Sequence, residues 1–366
     1  MNKTIKYILI FLGVALLVYA LWYFKSIVAY ILISAVLSLV GHPIVQFLTK
    51  LRIKKFRLSK SLSATITIIF LWVIFISFFR FFIPLIVNEV NELSSIDING
   101  LFQSLKNPIE KVQEIFDNYR IASEDISIQE YLTTKFIEVF SISKLSSFFG
   151  SIAGIIGNLL IAFFSISFIT FFFLKEEGLF TEGILAIVPV KKEQGVRHIL
   201  HSIKHLLSRY FIGILIEILL VIILVSTGLT IVGITFNHAI VIGLLAGLLN
   251  VIPYIGPYIG AFFGIIIGVA TNFDLEFSSQ LLPLIAYMSL VFVIVQLIDN
   301  ILFQPLIYSS SVKAHPLEIF LVILMAGSLA GIPGMILAIP TYTVIRVVAK
   351  EFFSNFKIVD KLTKNI

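Results

Sequence analysis

Cysteine is absent from the 366 residues, which excludes disulfide frameworks, thiolate nucleophiles and iron–sulfur ligation. Charge is scarce as well: Asp, Glu, Lys and Arg make up 13% of the chain, against about 25% in a soluble domain. No P-loop, nucleophile elbow or His-Glu-x-x-His pair occurs, so ATP-driven pumping and the common hydrolytic chemistries lack their usual residues. The expectation is a chain that is not an enzyme and carries no cofactor and no metal.

What is abundant is apolar surface, at 58% of residues with a mean hydropathy of +1.04. That composition belongs to an integral membrane protein, whose partner is the lipid bilayer. The formal charge of +6 invites a nucleic-acid reading, which its distribution rejects. Lys50, Arg52, Lys54, Lys55, Arg57 and Lys60 crowd one short loop with no acid among them, the pattern of cytoplasmic loops beside membrane spans.

A span needs about 20 apolar residues. Segments 5–24, 27–48 (interrupted at His42-Pro43) and 62–87 qualify. The run after Lys6 is too long for a signal-peptide core and no small-residue cleavage site follows it, so it reads as a retained first span. Residues 89–146 differ in kind. They hold ten acids against five bases, with apolar positions such as Ile109, Val112, Ile115 and Phe116 at helical spacing, which predicts a helical module outside the bilayer.

The division expected from composition is 1–88 (first three spans), 89–146 (acidic module), 147–174 (fourth span), 175–209 (basic amphipathic segment), 210–350 (transport core) and 351–366 (tail). Within 175–209, Val196, Ile199, Leu200, Ile203, Leu206 and Leu207 follow the stripe of an interfacial helix. His198, His201 and His205 share that segment, but no acid or cysteine joins them, and a solvated face explains them better than a metal. A fifth span covers 210–232 and another 281–298.

Two hydrophobic stretches are broken. The first, 238–271, contains Asn250, then Pro253-Tyr-Ile-Gly256 and Pro257-Tyr-Ile-Gly260; the second, 317–348, is interrupted between Gly327 and Gly334, with Gly331 between them. Proline removes a backbone donor and glycine releases helical geometry; at membrane depth the freed backbone must be buried in protein or line a wet cavity. Basic segments place both termini in the cytoplasm and the acidic module outside. Two topologies satisfy this: eight crossings with two kinked spans, or six crossings plus two re-entrant hairpins from opposite faces. The shortness of each half favours hairpins. The fold class expected is therefore all-α and polytopic, with six to eight transmembrane helices, two Pro/Gly-interrupted segments and a small extracytoplasmic helical module.

Charges inside apolar segments are few: Arg80, Glu217 and Asp299. Such residues face a bundle interior and mark ion pathways or structural pairs. Glu217 fits either a coupling carboxylate or a partner for Arg80, which itself lies near a span end. Asp299 joins Gln296, Asn300 and Gln304, followed by Pro305; on a helix these polar residues form one stripe, suited to an aqueous path or a small polar solute. Gly256, Gly260, Gly264 and Gly268 form a ladder suited to close helix packing.

The tandem Pro-x-x-Gly repeat at 253–260 resembles the signature of the autoinducer-2 exporter family of bacterial membrane proteins. Asp299-Asn300 with Pro305, then His315-Pro316-Leu317, then Gly327, Gly331, Gly334 and Pro340 resemble that family's C-terminal pattern, with Gly327-Ser328 where a Gly-Gly turn is usual. The resemblance implies an inner-membrane exporter, a homo-oligomer, driven by an ion gradient. The family it implies is functionally mixed: some members export autoinducer-2, others exchange sodium or lithium for protons. The expectation is thus a secondary transporter of a small molecule or cation with no nucleic-acid role. A Na+(Li+)/H+ antiporter and a non-transporting scaffold are the alternatives.

Overall fold

The computed structural model describes residues 11–53, 56–95, 156–306 and 314–353, apart from positions 14, 17, 18, 21, 177, 273 and 274, together with 359 and 363. The acidic module beyond Ser95, the start of the first expected span and most of the tail lie outside the described residues. The chain is helical, as composition requires. Among the described residues the exception is a minimal antiparallel pairing of β1 (Arg52–Ile53) with β2 (Phe56–Arg57) in the basic loop. Apolar side chains such as Phe70, Val73, Phe164, Phe168, Leu290 and Val293 point outward, which only a lipid environment tolerates at this density. This is a multi-pass membrane protein.

Two compact units divide the chain, 1–75 with 155–211 and 76–154 with 212–366. The first contains α1 (Lys25–Lys50), the start of α2 (Lys60–Ser95), α3 (Ile156–Lys175), the short α4 (Leu179–Leu185) and the beginning of α5 (Glu193–Ile231). The interruption expected at His42-Pro43 is absent, and α1 runs through it. Pro43 has no N–H for the carbonyl of Leu39 four residues back. The hydroxyl of Ser208 on α5 donates to that carbonyl instead, at 3.1 Å, so the helix continues without an orphaned acceptor. Ser34 Oγ donates to the Ile166 carbonyl at 3.1 Å and Trp72 Nε1 to Ser167 Oγ at 2.9 Å, tying α1 and α2 to α3 around Val45, Ala64 and Leu174.

The amphipathic segment is continuous with the span that follows it. Its helical phase is present, but α5 is one helix of 39 residues, so 193–209 prolongs the fifth span. Val196 and Ile199 are buried by protein, so the stripe does not lie free on a bilayer surface. No proline interrupts 193–231, and an unbroken helix propagates more readily than a new one nucleates.

The second unit takes in the rest of α5, then α6 (Phe236–Leu249), α7 (Gly256–Ala270), α8 (Leu282–Ile298) flanked by π-helical turns Phe277–Leu281 and Asp299–Phe303, and α9 (Pro316–Phe353). Val225, Leu229, Ile242, Ile267, Met288 and Phe292 are among the side chains of α5 to α8 that share one core.

The first broken stretch is a hairpin. A methyl placed on Gly256 would strike the Leu249 carbonyl, on Gly260 it would lie 2.9 Å from Ala246 Cα, and on Gly264 2.7 Å from Ile242 Cγ2. Partners that recede along α6 as α7 advances are antiparallel. The arms have 14 and 15 residues, about 21 and 22 Å long, too short for a hydrocarbon core of about 30 Å.

The second stretch also folds back. Length and hydropathy alone count 317–352 among five membrane-length helices. Glu318 and Tyr342 would be about 36 Å apart on a straight helix, yet Tyr342 Oη donates to Glu318 Oε2 at 3.0 Å. Nearer the tip, Gly327 faces Met335 and Gly334 faces the Ala326 carbonyl. The reversal sits at Ala330 (φ −138°, ψ 16°) and Gly331 (φ 62°, ψ −147°). The Gly331 conformation is essentially confined to glycine, so Gly331→Ala is expected to destabilise the protein by about 1–3 kcal/mol, read as a fall in Tm in detergent. Tyr342→Phe, which removes only the donor bridging the two arms, is expected to cost about 1 kcal/mol in the same assay.

Candidate functional site

The chain leaves α5 at Ile231 and starts α6 at Phe236 after a short turn. Glu217 stands as far before that turn as Asn250 stands beyond it, so antiparallel packing sets them opposite one another. Close approach makes the match: a methyl on Gly247 would lie 2.9 Å from the Ile218 carbonyl oxygen. Asn250 Nδ2 then donates to Glu217 Oε1 at 3.2 Å.

Asp299 arrives by a separate register. Gly268 of α7 packs on Met288 of α8 and Gly264 on Phe292; two further steps of four residues set the hairpin tip opposite 299–300. Here α8 changes to π-helical bonding, in which residues five apart, not four, come over one another. Gln304 Nε2 consequently donates to Asp299 Oδ2 at 2.8 Å. The polar stripe expected on a regular helix is split by that turn. Asp299 and Gln304 are directed together, while Gln296 Nε2 donates to Asn300 Oδ1 at 3.0 Å on an exposed surface.

The centre of the site is two carboxyl groups. Glu217 is 2% exposed and Asp299 1%, and the two side chains are near neighbours that interact electrostatically. Glu217 Oε2 and Asp299 Oδ1 are buried without a hydrogen-bond partner. Two full charges at about 4 Å would repel by about 4 kcal/mol even at an effective dielectric constant of about 20. The arrangement therefore disfavours ionisation of both carboxyls at once. Arg80 is exposed; the partners of Glu217 are Asn250 and Asp299.

The hairpin tip beside this pair is strained. Ile255 N–H donates to the Pro253 carbonyl at 2.9 Å, and Tyr254 between them has φ 67°. This is a γ-turn of the rare hand, in a region that costs a bulky residue about 1–3 kcal/mol. Pro253, Gly256 and Gly260 are buried at the tip and first turn of α7, with Pro257 half-buried at the helix start, where a missing N–H is tolerated. The ring of Tyr254 meets Phe320 of α9 edge-on, centroids 6.1 Å apart.

The remaining expected residues are placed elsewhere. Gly327, Gly331 and Gly334 belong to the second hairpin's tip, where Leu329 is 86% exposed, and Pro305 is exposed beyond the π-helical turn. Sequence reading also missed a polar group on that hairpin. Arg346, within the 210–350 core, is 4% exposed and lies over the Tyr342 ring, 5.6 Å from its centroid, beside the Glu318 bond. The spacing of Tyr342 and Arg346 by one helical turn is a signal that could have suggested it. Among the described residues no group of three or more His, Cys, Asp or Glu is placed to hold a metal.

Residues 9–354 match the model of the "AI-2E family transporter" family. "Putative transport protein YueF" of Bacillus subtilis (strain 168) is 26% identical over 340 residues, covering 88% of this chain and 82% of that protein. "Putative transport protein YrrI" of the same organism is 42% identical over 59 residues, 16% of this chain and 17% of its own length. A match across nearly the whole chain, on a helical membrane fold with a buried carboxyl pair, leads to one conclusion: the chain belongs to the AI-2E transporter family.

Proposed function

We propose that this protein is a secondary transporter that exports a small polar solute, of the autoinducer-2 kind, on an ion gradient by alternating access. The buried Glu217–Asp299 pair is its coupling centre. It works in the bacterial inner membrane as a homo-oligomer, with both termini cytoplasmic, as the basic 50–60 loop favours.

The observation that carries this reading is the pair itself. Burying two carboxyls costs several kcal/mol, and a chain serving only as a scaffold has no use for that penalty. Ionisable groups held together inside a membrane bundle mark proton or ion relays. Asn250 brings the first hairpin into the same contact, so a change of charge at the pair acts directly on a broken-helix element of the kind that forms transporter sites.

Cation/proton antiport is the second reading, and the same atoms favour it. Glu217 Oε2 and Asp299 Oδ1 are two buried oxygens without donors, suited to a small hard cation once the shared proton departs. Everted vesicles carrying the protein separate the readings. If antiport is the function, sodium or lithium chloride relaxes a preformed pH gradient, read by a pH-sensitive dye. If export is the function, the cations leave the gradient unchanged and a metabolite-pool screen in proteoliposomes finds a solute that dissipates it. Vesicles in which neither happens would count against both.

A further inference from the structure

We propose that Tyr254 is a positioning residue that carries the protonation state of the Glu217–Asp299 pair to the second hairpin. The inference rests on the reading of that pair as the coupling centre. Three contacts make the chain of transmission. Asn250, the last residue before the hairpin tip, holds Glu217 through its amide at 3.2 Å. Four residues on, Tyr254 is the one non-glycine residue at positive φ among the described residues, locked in a turn closed by the Ile255 N–H to Pro253 carbonyl bond. Its ring then rests on Phe320, two residues from Glu318.

A turn of this hand accommodates glycine without strain. A tyrosine there is explained by what its ring touches. The second Pro-Tyr-Ile-Gly copy makes the contrast within the same chain: Tyr258 is helical and 70% exposed, with no such constraint. Because the tip is short and begins with the fixed φ of Pro253, a shift of Asn250 on loss of the shared proton turns Tyr254 against Phe320, and α9 follows. Around these groups, the pair is faced by the neutral amides of Asn250 and Gln304. The titratable and charged groups near Phe320 are Glu318, Tyr342 and Arg346.

The cysteine-free chain permits a direct test. A single nitroxide is placed through Tyr258→Cys on the first hairpin, or through Leu329→Cys on the second, in the full chain in nanodiscs. Line shapes are recorded from pH 5 to 9. The expected result is a pH-dependent change at both positions, abolished at both by Glu217→Gln. Tyr254→Gly and Phe320→Ala abolish the change at 329 and leave it at 258, while Tyr254→Phe and Glu318→Gln retain both. Phe320→Ala leaves the turn untouched and covers the case in which Tyr254→Gly fails to fold. If the 329 response survives Tyr254→Gly or Phe320→Ala, or is absent in the parent while 258 responds, the role of Tyr254 is overturned and the coupling centre stands. If 258 shows no response, or one that Glu217→Gln leaves intact, the coupling centre fails and the inference with it.

Discussion

Replacing Asp299 by Asn is expected to lower pH-gradient-driven flux in proteoliposomes by about 100-fold or more, the scale of a lost positioned proton-transfer group. Asparagine preserves the size of the side chain and can still meet Gln304, so insertion and gel-filtration behaviour should be unchanged. What it removes is the second carboxyl. Glu217 then has an amide neighbour in place of an acid with which to share a proton, and the site no longer has two states of different charge within reach. Glu217→Gln should produce the same loss from the other side. The double variant should be no worse than either single one, because groups that act as a unit are strongly non-additive. Flux at the parental rate in Asp299→Asn, with correct insertion, would remove the pair from the mechanism.

The second large effect is expected at Gly256. A methyl there meets the Leu249 carbonyl oxygen head on, with the Leu249 carbonyl carbon at 2.6 Å and Asn250 Cα at 3.1 Å. These are backbone atoms and cannot rotate away. Gly256→Ala should therefore separate the arms of the first hairpin at the cost of about 3 kcal/mol or more. It should also draw Asn250 from Glu217, so that stability and coupling fall together. Gly183→Ala is the control. Its added methyl has nothing within 4 Å and sits in α4, where alanine is the better helix former; no loss of Tm is expected. A Gly256→Ala protein with parental Tm would mean that the hairpin arms are not in this contact.

Tyr254 and Tyr258 show how far sequence reading can go. The two tetrapeptides are identical, and from local propensity both read as helix breakers. One forms the turn and the other opens α7. Which copy takes which role depends on where Gly260 and Gly264 allow α7 to approach α6, a contact between residues distant in sequence. The same limit applies at Pro43, where a local signal predicts a break and a hydroxyl from α5 cancels it.

By itself the sequence determined that this is a helical, multi-pass membrane protein. It also determined where its apolar segments break and which two carboxyls lie within apolar segments. These properties are local or additive: hydropathy sums along a segment, and Pro and Gly act on their own backbone. The tertiary structure alone decided that the broken segments fold back as hairpins, that α8 passes into a π-helical turn at Asp299, and that Glu217 and Asp299 meet. The last pairing joins residues 82 positions apart. It depends on three helix registers set by close contacts at glycines, and no single segment encodes the distance between two others.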